Sequence, residues 1–148
     1  MIAKDIPGER EIRQFIPGFR PDGLGRWRSF HLVIKGGKWE AEDQSVDLTI
    51  QAEYEGDSDA QYVVEMKMLG VRELRLPDMC GWFGFNHYVI EDVRADQWEG
   101  VGYRVEECEE GRRFLCLCRS VAFTKLLVIE PGAPDQVIWD ATKTMTHG

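Results

Sequence analysis

The chain has 148 residues, 43% of them hydrophobic, and its 18 Lys and Arg face 26 Asp and Glu for a net charge of −8. That length suits one domain with its own core, so neither a disulfide framework nor a structural metal is needed for folding. The acidity disfavours nucleic acid and anionic lipid as partners and favours basic ones. The longest aliphatic run, residues 126–129, is far short of the ~20 residues that span a bilayer.

The charge is unevenly spread. Residues 1–40 carry eight Lys/Arg and five Asp/Glu, a balance of +3, and the remainder carries ten and twenty-one, a balance of −11. Residues 1–7 contain no apolar stretch of the secretory kind, which predicts a cytoplasmic protein with reduced thiols.

Along the chain, Ile12 and Phe15 lie three apart, as on one face of a short helix. Pro17-Gly18 and Pro21-Asp22-Gly23 then punctuate a loop through Gly25, so the first ~25 residues read as an irregular or helical lead-in. From residue 29 the period becomes strand-like. Residues 29–34 run into Gly36-Gly37 and are followed by residues 38–41, which predicts a hairpin. In residues 46–54 every even position is apolar and every odd one polar, so Val46, Leu48, Ile50, Ala52 and Tyr54 share one face of a strand with a buried and a wet side.

Residues 61–69 repeat the pattern with Tyr62, Val64, Met66 and Met68. Gly70 marks a bulge or bend before residues 71–76 resume it. A glycine- and aromatic-rich loop spans residues 78–85. Further strands are expected at residues 88–93, 101–105, 113–119, 121–129 and 136–139, and residues 94–100 read as a loop or one helical turn. The last ~6 residues are polar and expected to fray. About nine or ten short strands without crossover helices predict a single mainly β domain: an antiparallel sandwich, a barrel or a strongly curved sheet, with one short N-terminal helix.

Residues that could carry chemistry are few. Cys116 and Cys118 point the same way in a strand and read as small core residues rather than zinc ligands with His31 and His87. Cys80, seven residues before His87, lacks any visible means of activation. Asp57-Ser58-Asp59 lacks the remaining ligands of a calcium loop. Arg20, Arg26, Trp27, Arg28 and His31 form a small basic and aromatic patch on an acidic molecule. Glu53, Glu55, Asp57 and Asp59 form one acidic group, and Glu106, Glu107, Glu109 and Glu110 another. No catalytic, cofactor-binding or metal-binding residue is assigned, and no cofactor is expected.

The stretch VEMKMLGVRELRL (residues 64–76), then Ile90-Glu91-Asp92-Val93, then EGVGYRV (residues 99–105), resembles small uncharacterised bacterial β-rich proteins. Some of these are grouped with immunity proteins of polymorphic toxin systems. The resemblance covers roughly residues 45–120 and implies a protein that binds and blocks a toxin, without placing any site residue.

Three readings stand at this point. The first is a non-enzymatic cytosolic interaction protein of the immunity type with a basic protein partner, anchored through exposed aromatics such as Trp82 or Trp98. The second is a β-barrel or sandwich binding a small molecule among Trp82, Phe83, Phe85, Tyr88 and Tyr103. The third is an enzyme using Asp92 or Glu91 near His87. Neither nucleic acid nor a membrane is expected as partner, and sheet edges offer a route to a homodimer.

Overall fold

A computed structural model describes residues 1–36, 44–55, 60–76, 84–85, 88–96, 99–107 and 114–144. Its centre is one antiparallel sheet of seven strands: β1 (Trp27–Gly36), β2 (Gln44–Glu55), β3 (Gln61–Arg75), β4 (Tyr88–Asp92), β5 (Tyr103–Glu107), β6 (Leu115–Ile129) and β7 (Gln136–Asp140). Their order is β1-β2-β3-β6-β5-β4, and β7 also pairs with β6. Two short helices flank the strands, α1 (Glu9–Phe15) and α2 (Ala141–Thr144). Of the three expected β architectures the molecule adopts the curved sheet, and among the described residues no strand pairing closes it.

The alternating stripe of β2 is realised: Leu48, Ile50, Ala52 and Tyr54 are buried. Across the ladder Leu48 meets Met68, Ile50 meets Met66 and Ala52 meets Val64, so the predicted faces of β2 and β3 coincide. Opposite residues in an antiparallel pair share a face, which carries the same face into β6 through Val121, Phe123 and Leu126.

The bend expected at Gly70 is present within one continuous strand, and the break expected between residues 119 and 121 is also internal to a strand. Residues 61–69 and 71–76 form the single strand β3, and residues 113–119 and 121–129 are replaced by the single strand β6, each 15 residues long. The breaks read from the sequence are irregularities within the strands. The β3–β6 register shifts between Glu65 and Met66 and again between Val71 and Glu73, and Gly70 (φ 65°) takes up the bend between them. A bulge adds a residue and sharpens the twist without ending the strand. The hairpin differs as well. β1 pairs with β2, Gly36 opposite Gln44, and residues 38–41, expected as its partner, lie outside the described residues.

Curvature brings the sheet's two ends together. Arg26, just before β1, bridges Gly84, and Phe85 N–H donates to Gly25 O at 3.0 Å. Trp27 stacks on Phe30 at 5.6 Å between ring centroids and meets Phe85 and Phe114 edge-on at 5.3 and 5.4 Å.

The concave face is filled by the lead-in. α1 buries Ile12, and the chain beside it buries Ile6, Ile16, Phe19 and Leu24. Phe15, expected to share the helix's inner face, is 45% exposed, because Ile12 and Ile16, four apart, take that role. Phe19 packs edge-on against Tyr54 (5.0 Å) and Phe123 (5.5 Å). The Tyr54 hydroxyl donates to Gly18 O at 3.2 Å and accepts from Arg20 N–H at 3.1 Å.

The outer edge of β6 is used in three pieces. β5 pairs with its beginning and β7 with its end. Between them Phe123 N–H donates to Pro7 O at 2.8 Å. The next residue, Gly8, lies so close that a Cβ there would sit 2.1 Å from Phe123 O. The N-terminus also covers the edge of β4: Ala3 N–H donates to Ile90 O and Asp92 N–H to Met1 O, both at 2.8 Å.

Candidate interaction surface

The two described thiols are interior. Cys116 and Cys118 lie on one face of β6, as the spacing predicts, and both are fully buried. A hydrogen bond with Cys116, reinforced by burial, pushes the Cys118 thiol far up. A thiol held protonated is neither nucleophile nor metal ligand. In native protein treated with iodoacetamide, the peptide carrying Cys116 and Cys118 is expected to stay unmodified, with alkylation appearing only in denaturant. Alkylation in native buffer at the rate of a free thiol would contradict this placement. His31 lies exposed on β1, and no metal-binding group of three His, Cys, Asp or Glu exists among the described residues. Cys80, His87 and Cys108 fall outside them.

The aromatics that were candidates for a ligand pocket pack on one another. Phe85 and Tyr88 stack at 4.1 Å and 17°, and Phe85 meets Phe114 edge-on. The Tyr88 hydroxyl donates to Pro21 O, and complete burial raises its pKa well above the usual tyrosine value. Tyr103 lies beneath the Arg94 guanidinium at 5.6 Å. Trp82, Phe83 and Trp98 are outside the described residues. A polar hollow of about 270 Å³ lies elsewhere, between Ala3, Lys4, Asp5, Glu9 and Arg13.

Carboxylates proposed for acid–base work are engaged. Arg94 grips Asp92 through two nitrogens (3.0 and 2.6 Å) and holds its carboxyl down at about 2, so it is ionised at neutral pH. Glu91 pairs with Arg104 at 2.7 Å.

The basic patch is dispersed. Arg20 pairs with Asp22 at 2.9 Å, and Trp27 turns its ring into the aromatic cluster. Arg28 reaches Glu53 (3.4 Å) and Asp135 (3.2 Å). Of the second acidic group, Glu106 lies 3.5 Å from Arg104 and Glu107 is buried, while Glu109 and Glu110 are outside the described residues.

Two surface features stand out. The first is an acidic end of the sheet. The register sets Glu55 opposite Gln61, and Gln61 opposite Ile129. Glu53 and Glu55 therefore share that end with Glu130 and Asp135, and Asp57 and Asp59 join them in sequence. The second is the far half of β1, which the sequence reading missed. Residues 31–36 are exposed throughout, including Leu32 (48%), Val33 (45%) and Ile34 (65%). Leu32 and Ile34 lie opposite Leu48 and Val46 on the core-facing side, beyond the reach of the lead-in, and Val33 lies on the other face. Three consecutive apolar residues are the available signal. A strand apolar on both faces needs cover on both.

No curated protein and no solved structure matches this chain. A family model described as "Immunity protein PIM8" matches residues 31–124, from the exposed half of β1 to the part of β6 where the lead-in docks. That match spans more than half of the sequence and most of the sheet, so the chain belongs to the PIM8 family of immunity proteins.

Proposed function

We propose that this protein is a non-enzymatic, cytoplasmic immunity protein that silences a toxin by binding it, and that the toxin is basic. Family membership carries the reading. The net charge of −8 and the acidic end, where Glu53, Glu55, Glu130 and Asp135 outnumber the Arg28 that Glu53 and Asp135 share, support a basic partner, because opposite charge accelerates encounter and fixes approach. The ion pairs that tie up Asp92 and Glu91 fit a role in which surface shape and charge, rather than a reactive group, do the work.

The test takes toxin-type domains encoded by genes neighbouring this one as candidate partners. Co-expression is expected to restore growth, and the two purified proteins are expected to form a stable complex. Its association rate should fall by about tenfold or more between low salt and 0.5 M salt, as screening shortens the reach of the charges. Glu55→Lys should slow association more than it speeds dissociation. Failure to bind would overturn the reading, and a salt-independent rate would overturn the basic partner.

A further inference from the structure

We propose that the partner is held by strand addition: an extended apolar segment of the basic toxin pairs along residues 31–36 of β1 and continues the sheet. The inference rests on the immunity reading above and specifies how binding is achieved.

Backbone chemistry comes first. On one side β1 is saturated by β2, from Ile34 opposite Val46 to Gly36 opposite Gln44. On the other side no described strand pairs with residues 31–36, and all six residues are exposed. Backbone groups pointing outward from an edge strand form a template for another strand.

The rest of the fold treats its edges differently. Residues 1–3 cover β4, and Pro7 fills the gap along β6. β7 is five residues long and runs directly into α2. Short or covered edges are the usual protection against unwanted pairing. Among the described residues, the one long edge without a pairing strand also carries three consecutive exposed apolar side chains. An added strand would extend both faces beside Leu32, Val33 and Ile34 and remove apolar surface from water on each.

Charge decides the occupant. β1 contains no Asp or Glu, and its cations are already matched, Arg28 by Glu53 and Asp135 and Lys35 by Asp47 at 3.1 Å. The edge is thus an apolar, locally neutral strip on a molecule of net charge −8. A second copy would bring another −8 against this one and is repelled. A basic partner is attracted instead. A strand laid along β1 also runs toward the end of the sheet where Glu53 and Asp135 lie, next to Arg28.

The experiment measures affinity of the intact protein for the toxin domain that the co-expression test identifies, together with deuterium exchange of the free and bound states. Residues of an antiparallel strand alternate in which neighbour their N–H faces. Of Leu32→Pro and Val33→Pro, therefore, one disrupts the β1–β2 ladder and the other removes only an outward donor. The second should keep the melting temperature and weaken binding by roughly tenfold or more. Ile34→Lys, at a side chain 65% exposed, should do the same without touching the backbone, and Val137→Lys on β7 should have no effect. Amides of residues 31–36 should gain protection in the complex.

Toxin binding within about twofold of wild type by both the outward proline and Ile34→Lys, with no protection of residues 31–36, overturns strand addition and leaves the immunity reading standing. No binding by the wild-type protein overturns both. A dimer in sedimentation that Ile34→Lys converts to monomer assigns the edge to a second copy and overturns the proposed occupant.

Discussion

Gly8→Ala is expected to destabilise the fold by about 3 kcal/mol, a fall in melting temperature of roughly 6–12 °C for a chain of this size. Two costs add. Gly8 sits at φ 91°, where an L side chain loses about 1 kcal/mol or more. A methyl group there would also lie 2.1 Å from the carbonyl oxygen of Phe123, and backbone in the middle of a paired strand cannot yield. Relief requires the lead-in to lift off β6, which forfeits the Phe123–Pro7 hydrogen bond. Gly132→Ala supplies the comparison. It has the same sign of φ (80°) and nothing within 4 Å, so it bears only the conformational cost. Chemical denaturation of both variants reads the difference. Equal midpoints would mean that the lead-in does not dock against Phe123.

Phe19→Ala is expected to cost about 3–5 kcal/mol, the range for removing a buried phenylalanine. Phe19 is 1% exposed and fills the hollow between the Tyr54 and Phe123 rings. Tyr54 is bound on both sides of it, to Gly18 O and Arg20 N–H, so the neighbouring backbone resists collapse into the cavity. Phe15→Ala, four residues away on the exposed side of α1, should change stability by no more than about 0.5 kcal/mol. Urea melts of the pair separate the alternatives. If the two variants behave alike, the lead-in is an appendage rather than part of the core.

The sequence displays most clearly those strands with one buried and one wet face. In β2 the even positions from Leu48 to Tyr54 are buried, because period two maps directly onto a sheet covered on one side. β6 was harder to read. Residues 113–129 read as two strands because the buried positions change phase between Cys118 and Val121, and a change of phase within a strand leaves the same break in alternation as a strand's end. The lead-in was legible as a short helix, but its docking was not. Glu9–Phe15 forms as the spacing implies, whereas the placement of Phe19 between Tyr54 and Phe123 depends on the curvature of strands far along the chain. Among candidate sites, the inward direction of Cys116 and Cys118 followed from strand geometry alone. The open β1 edge did not, because Leu32-Val33-Ile34 reads equally as a strand buried on both faces until the strand order leaves it at the margin.

The docking of Pro7 on Phe123 and of residues 1–3 on β4 reverses the order in which segments are made and used. Residues 1–7 are made before β4 and the middle of β6 and wait for them. At 5–20 residues per second that interval is on the order of 10 s. During it β1, β2 and β3 can pair with their sequence neighbours, since each ladder closes only a short connection. Ile6, Ile12, Ile16 and Phe19, meanwhile, have no concave surface to enter. The nascent chain therefore carries an apolar segment, open to chaperones and to self-association, that is withdrawn only when β6 arrives. The lead-in acts as the closing stitch of folding although it is synthesised before every strand it closes.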